Sequence, residues 1–169
     1  LEADLVFVNA RIVNTFTGEI EEGNVAVAEG RVAGVGDYRE GRRVVDLRGR
    51  YLAPGLVDGH VHLESSMLDV GQYARAVVPH GTLAAVADPH EMANVAGLKG
   101  VRYLIERSRR APMDLFFMAP SCVPATSLET SGASLGPSEV RRALRWKKVI
   151  GLGEVMAYPE VIGGNGPML

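Results

Sequence analysis

His60 and His62 are separated by a single residue and follow the apolar pair Leu56-Val57. In an extended backbone, residues i and i+2 face the same side, so both imidazoles would converge on one point. Gly59, which has no Cβ, lets backbone or ligand approach closely there. Two neutral imidazoles aimed at one point form part of a shell for a divalent metal such as zinc, manganese or iron. The same pair also fits two polar residues on a solvated strand face. Its setting, between an apolar strand and the polar stretch Glu64-Ser65-Ser66, favours metal.

Other reactive groups follow short apolar runs. Asp88, His90 and Glu91 come after residues 82–87, Ser121 and Cys122 after residues 113–118, and Glu154 after Val149-Ile150-Gly151-Leu152-Gly153. Asp88-Pro89-His90-Glu91 also reads as a helix start, with Asp88 as N-cap, Pro89 at the first helical position and Glu91 in the first turn. That reading leaves His90 free for a functional role. Glu154 is either a capping or salt-bridging carboxylate or one compensated by a cation, since a charge at the end of a tightly packed strand is costly otherwise. His80, beside Pro79 and Gly81, reads as structural.

The elements that position these groups change character near Pro54. Before it, residues 5–8, 11–14, 25–27, 31–35, 43–47 and 51–52 read as short strands separated by turns at Thr17-Gly18-Glu19, Glu29-Gly30 and Arg48-Gly49-Arg50, with no helical period. Residues 1–52 are therefore expected to be a small β unit, a sandwich or a meander. After Pro54, residues 69–78 have Val70, Tyr73, Ala74 and Val77 at helical spacing with Asp69 as a candidate N-cap. Residues 97–109 and 138–146 read as further helices, the last capped by Ser138 with Glu139 in its positive first turn. Strand and helix alternate over residues 53–169, which implies parallel strands with right-handed crossovers. In a parallel α/β barrel the C-terminal strand ends share one face, and active sites are built there.

Composition excludes several classes. With 169 residues, 47% hydrophobic and 22% charged, the chain is an ordinary globular protein. A net charge of −2 and the absence of an extended basic run point away from nucleic acid; the arginines of residues 107–110 read as the solvated end of a helix. Cys122 is the single cysteine, so no internal disulfide can form, which suits a reducing cytoplasm. No apolar run is long enough to span a bilayer and no signal-peptide pattern opens the chain. It begins at Leu1 and ends in a glycine-rich stretch with no closing element, so a fragment of something longer is expected.

Taken together, the stretches 54–67, 78–82, 87–91, 116–126 and 151–154 resemble the adenine deaminases of the amidohydrolase superfamily. Pro54-Gly55 with Asp58, His60 and His62 marks only the superfamily. Pro120-Ser121-Cys122-Val123-Pro124-Ala125-Thr126, with Glu129-Thr130-Ser131-Gly132-Ala133, is much more specific to adenine deaminases. The resemblance covers most of residues 4–162. It implies an α/β fold: about the first four strands of a (β/α)8 metal-dependent hydrolase barrel over residues 53–169, preceded by a β-sandwich portion over 1–52. It also implies that His60 and His62 bind metal, that Glu154 bridges a binuclear centre of manganese or iron (zinc being the alternative), and that Asp88, His90 and Glu91 lie near that centre as an additional metal or substrate site. Glu154 and Glu91 are the candidate catalytic carboxylates. The implied reaction is hydrolysis of adenine to hypoxanthine and ammonia, a step of purine salvage, by a cytoplasmic homo-oligomer. The remaining histidine ligands and an aspartate would lie beyond Leu169, so the isolated chain is expected to be inactive. A dihydroorotase- or hydantoinase-like amidohydrolase and a non-catalytic truncated chain are the competing expectations.

Overall fold

A computed structural model describes residues 2–168. The chain divides into two compact units, Leu1–Pro54 and Gly55–Leu169.

The first unit is a single mixed sheet. β1 (Leu5–Asn14), β2 (Glu19–Ala28) and β3 (Arg31–Gly36) form an antiparallel meander, while β4 (Val44–Asp46) and β5 (Tyr51–Leu52) pair parallel to β1. The two apolar runs expected as separate strands, 5–8 and 11–14, are one strand with a bulge. The register shifts between Phe7 and Ala10, and Asn9 there has φ 55°. Its amide donates to Asn24 Oδ1 at 2.9 Å, which replaces the interrupted ladder bond. A sandwich needs a second layer, and the described residues of this unit form one sheet, so Val32 and Val35 stay 66% and 52% exposed.

The second unit alternates strand and helix. β6 (Leu56–Val61), β7 (Thr82–Ala87), β8 (Asp114–Ala119) and β9 (Val149–Leu152) form a four-stranded parallel sheet in that order. The crossovers carry α1 (Val70–Val77), α2 (His90–Ser108) and α3 (Pro137–Ala143), and α4 (Tyr158–Ile162) follows β9. β8 shows why the sheet packs on one face. Leu115, Phe117 and Ala119 are buried, while the alternating Asp114 and Phe116 are exposed. Ala85 and Ala87 of β7 join them against Val70, Tyr73 and Ala74 of α1 and Val101, Leu104 and Ile105 of α2. The apolar pair Leu56-Val57 is 63% and 66% exposed because β6 is an edge strand of the described sheet.

The helix starts differ from their sequence reading. Asp69 holds the N-cap position of α1 but makes no capping bond; its carboxylate instead accepts from Arg107 Nη2 at 2.7 Å. α2 begins at His90 rather than Gly97, which breaks the helix internally at φ 60°, ψ −150°, a conformation a Cβ would strain. The backbone of Gly132 and Ala133 docks beside this break, donating to the Asn94 carbonyl at 2.9 and 3.1 Å. α3 starts at Pro137 after a Gly136 N-cap, so Ser138 lies inside the helix, and Glu139 Oε2 accepts from the Gly136 amide at 3.2 Å. Among the described residues no helix is long and apolar enough to cross a membrane.

Candidate metal centre

Because β6 to β9 are parallel, their C-terminal ends lie along one edge of the sheet. His60 sits on β6 with His62 just past it, Asp88 and His90 follow β7, and Glu154 follows β9 by two residues. These five side chains meet. His60 Nε2 and His62 Nε2 are 3.1 Å apart. Glu154 Oε1 lies 3.3 Å from His62 Nε2, 3.9 Å from His60 Nε2 and 3.5 Å from His90 Nδ1. Ligand atoms of His60, His62 and Glu154 fall within 4.8 Å of one another, and so do those of Asp88, His90 and Glu154. The same glutamate thus belongs to both groups.

The supporting bonds fix orientation. His62 Nδ1 is 2.8 Å from the Asp88 carbonyl oxygen. A carbonyl can only accept, so Nδ1 carries the proton and neutral His62 presents the Nε2 lone pair to the cluster. Asp88 is fully buried, and its Oδ2 accepts from the Glu154 amide at 2.8 Å. Its carboxylate therefore positions the Glu154 backbone instead of capping α2. Pro89 occupies the N-cap position of α2, and the orphan amide of Met92 donates to Glu64 Oε1 at 2.9 Å. Ser121 Oγ donates to the Glu154 carbonyl at 2.5 Å. Glu64 and Ser121 were not assigned these roles from sequence, and the only local hint for Glu64 is a carboxylate two residues after His62.

Two buried atoms aimed at this cluster, Asp88 Oδ1 and His90 Nδ1, have no hydrogen-bond partner. Buried polar atoms are seldom left unpaired, and a cation would satisfy both. Imidazole nitrogen and carboxylate oxygen suit zinc, manganese or iron, so the residues present fit a divalent metal. Glu91 lies outside the cluster, accepting from Ser65 Oγ at 2.6 Å. With His90, Asn94, Cys122 and Glu129 it lines an adjoining cleft of about 330 Å³. His80 is exposed and takes no part in the cluster.

The amidohydrolase family profile matches residues 51–160. The chain belongs to the amidohydrolase family. This family is metal-dependent, in keeping with the donor set just described. The chain is 56% identical over 96% of its length to an adenine deaminase of Dehalococcoides mccartyi strain CBDB1. It is 53% identical over 99% of its length to adenine deaminase 2 of Carboxydothermus hydrogenoformans, and 49% identical over 99% to the adenine deaminase of Geobacillus kaustophilus. It spans only 28–29% of the length of these relatives. Among solved structures, an N-acyl-D-glutamate deacylase from Bordetella bronchiseptica, complexed with zinc and a phosphonate inhibitor, aligns over 93% of this chain and 39% of its own (TM-score 0.62, 16% identity). An atrazine chlorohydrolase from Arthrobacter aurescens aligns over 83% of this chain and 42% of its own (TM-score 0.59, 13% identity). At those identities the likeness concerns the fold.

Proposed function

We propose that this chain is the metal-binding portion of an adenine deaminase, which hydrolyses adenine to hypoxanthine and ammonia. The observation that carries the reading is the convergence of His60, His62, Asp88, His90 and Glu154 in a chain about half identical to adenine deaminases. In this reading β6 to β9 are about the first half of a (β/α)8 barrel, and residues 1–52 contribute to a β-sandwich. The exposed edge strands β6 and β9 support that, since closure would pair them.

His60 and His62 would hold a divalent ion through Nε2, with Glu154 as the ligand shared with a second ion near Asp88 and His90. Manganese or iron is proposed, with zinc as the alternative. Bound there, such an ion would bring the pKa of water to about 7 and make it a usable nucleophile. The chain's own residues do the rest. The Asp88 carbonyl keeps His62 in the tautomer that leaves Nε2 free. Asp88 Oδ2 and Ser121 Oγ grip the amide and carbonyl of Glu154, which fixes its carboxylate. Glu154 takes a proton during attack on the ring carbon and returns it to the ring or to the departing amine. Glu91, in the cleft beside His90, is the second carboxylate able to carry a proton. The cleft itself is the proposed seat of the purine. The full-length protein is further proposed to be a cytoplasmic homo-oligomer serving purine salvage.

The test is the protein at the length of its relatives, loaded with manganese and assayed for hypoxanthine from adenine. Turnover of adenine with none of dihydroorotate or hydantoin supports the reading; the reverse preference identifies a cyclic-amide hydrolase.

A further inference from the structure

At the opposite end of the sheet from the metal cluster, the second half of α2 and the segment leading into β9 enclose a groove of about 670 Å³. Five cations converge on it: Arg102 from α2, Arg109 at its C-cap, and Arg145, Lys147 and Lys148 from the segment before β9. Glu106 is the one carboxylate in its lining. The floor is Ile105, buried in the core, and Trp146, with the Arg102 guanidinium 4.9 Å from the indole centroid.

Ordinary structural roles account for only part of this cluster. Arg109 lies at the C-terminus of α2, where a cation complements the helix dipole. Lys148 Nζ donates to Ser108 Oγ at 3.5 Å. Arg102 lies within the helix, however, and Arg145 and Lys147 lie outside any helix. None of the five makes an ion pair within 4.0 Å among the described residues, whereas Arg39, Arg42 and Arg107 all have carboxylate partners. Five unpaired cations on a chain of net charge −2 repel one another, and a concave low-dielectric wall focuses their field into the groove. Arg102 is held by its stacking on Trp146, and a planar guanidinium so held can still donate at its edge to phosphate oxygens.

We propose that this groove binds a small molecule bearing a diphosphate or triphosphate, either a nucleotide or an inorganic polyphosphate. Two or more linked phosphates carry enough oxygens to engage cations contributed both by α2 and by residues 145–148. The site is separate from the metal cluster and adds to the deaminase reading.

The experiment is calorimetric titration of the full-length protein with pyrophosphate and, separately, with ATP, in magnesium-free buffer. Trp146 emission is isolated as the difference between wild type and Trp146→Phe. Saturable binding of either anion that perturbs the Trp146 signal, and at least tenfold weaker binding in Arg145→Ser/Lys147→Ser, is expected, with adenine turnover in the absence of anion unchanged. Equal affinity for the two anions would identify the diphosphate as the recognised group, and tighter ATP binding would seat the nucleoside as well. Absence of saturable binding, or binding that the double substitution leaves unaltered while the variant keeps wild-type turnover, would overturn the proposal. Because turnover is read separately, a protein that fails to deaminate adenine but binds pyrophosphate leaves this site standing.

Discussion

Gly153 is the position where one added methyl group should be most damaging to the site. A Cβ built there would meet Asp88 head-on, colliding with Oδ2 and standing 2.9 Å from Cγ and 3.0 Å from Oδ1. Asp88 has nowhere to retreat: it is fully buried, and Oδ2 accepts from the Glu154 amide at 2.8 Å. In Gly153→Ala the carboxylate must move and that bond must lengthen or break. Loss of a hydrogen bond to a charged group costs roughly 1.5–3 kcal/mol, and overpacking a tight site typically costs about 1–3 kcal/mol. The expected destabilisation is therefore about 2.5–6 kcal/mol. With a urea slope of about 1–3 kcal/mol per molar for a small unit, the midpoint of its unfolding should fall by about 1 M or more. Because residue 153 leads directly into Glu154, manganese content by mass spectrometry should fall with it. The control is Asp88→Ala/Gly153→Ala. With the carboxylate gone there is nothing to collide with, so the alanine at 153 should cost far less in that background, giving a coupling energy that approaches the single-variant cost of roughly 2.5–6 kcal/mol. A Gly153→Ala protein with wild-type midpoint and metal content, or equal cost in both backgrounds, would refute the packing argument.

Two further outcomes follow from the same contacts. Glu154→Gln keeps the side chain's size but removes the charge shared between the two ligand groups; metal affinity should fall, and adenine turnover of the full-length protein should drop by at least about two orders of magnitude, measured under excess manganese. The hydrogen bond from Arg107, aided by its charge, holds the Asp69 carboxyl below the usual range. A depressed carboxylate pKa stabilises above its unfolded value of about 3.9 and loses that contribution as pH falls through the folded value. The midpoint difference between wild type and Asp69→Asn should hence be small, constant at neutral pH, and vanish on acidification below that range, as followed by urea titrations at several pH values.

The alternation of strand and helix after Pro54 was legible because each buried strand is a short apolar run and each crossover has helical spacing. The candidate ligands were legible because they follow those runs. The local pattern failed where a distant partner decides. Asp88-Pro89 spells a helix start, yet the Asp88 carboxylate is taken by the Glu154 amide, 66 residues away. Glu64 meanwhile supplies the acceptor at the start of α2 from 28 residues upstream of Met92. Asp69 was read as a cap because of its position, but Arg107 offers a charged bidentate partner that a backbone amide cannot match. Gly97 read as the first residue of a helix because the apolar face begins with Leu98, Val101, Leu104 and Ile105; here it interrupts a helix already under way.

Residues 120–126 and 129–133, on which the resemblance to adenine deaminases rests, connect the candidate ligand cluster to its surroundings. Ser121 Oγ donates to the Glu154 carbonyl, and Cys122 Sγ accepts from the Ala157 amide at 3.4 Å, so the segment after β8 holds the segment after β9. Ser131 Oγ donates to Asn94 Oδ1 at 2.9 Å, and the next two amides bond the Asn94 carbonyl, so the same connection also grips the first turns of α2, which carry His90. Gly132 permits this approach, because a Cβ there would run into the Val95 carbonyl. On and just after β9 the glycines do the equivalent work, with Gly151 leaving room for the Met118 methyl and Gly153 for Asp88. His90 and Glu154 are thus tied to one connecting segment as well as to each other's neighbourhood. A change in its length or in Ser121 would shift both groups together, and that is a physical reason for the motif to sit between β8 and β9 rather than among the ligands themselves.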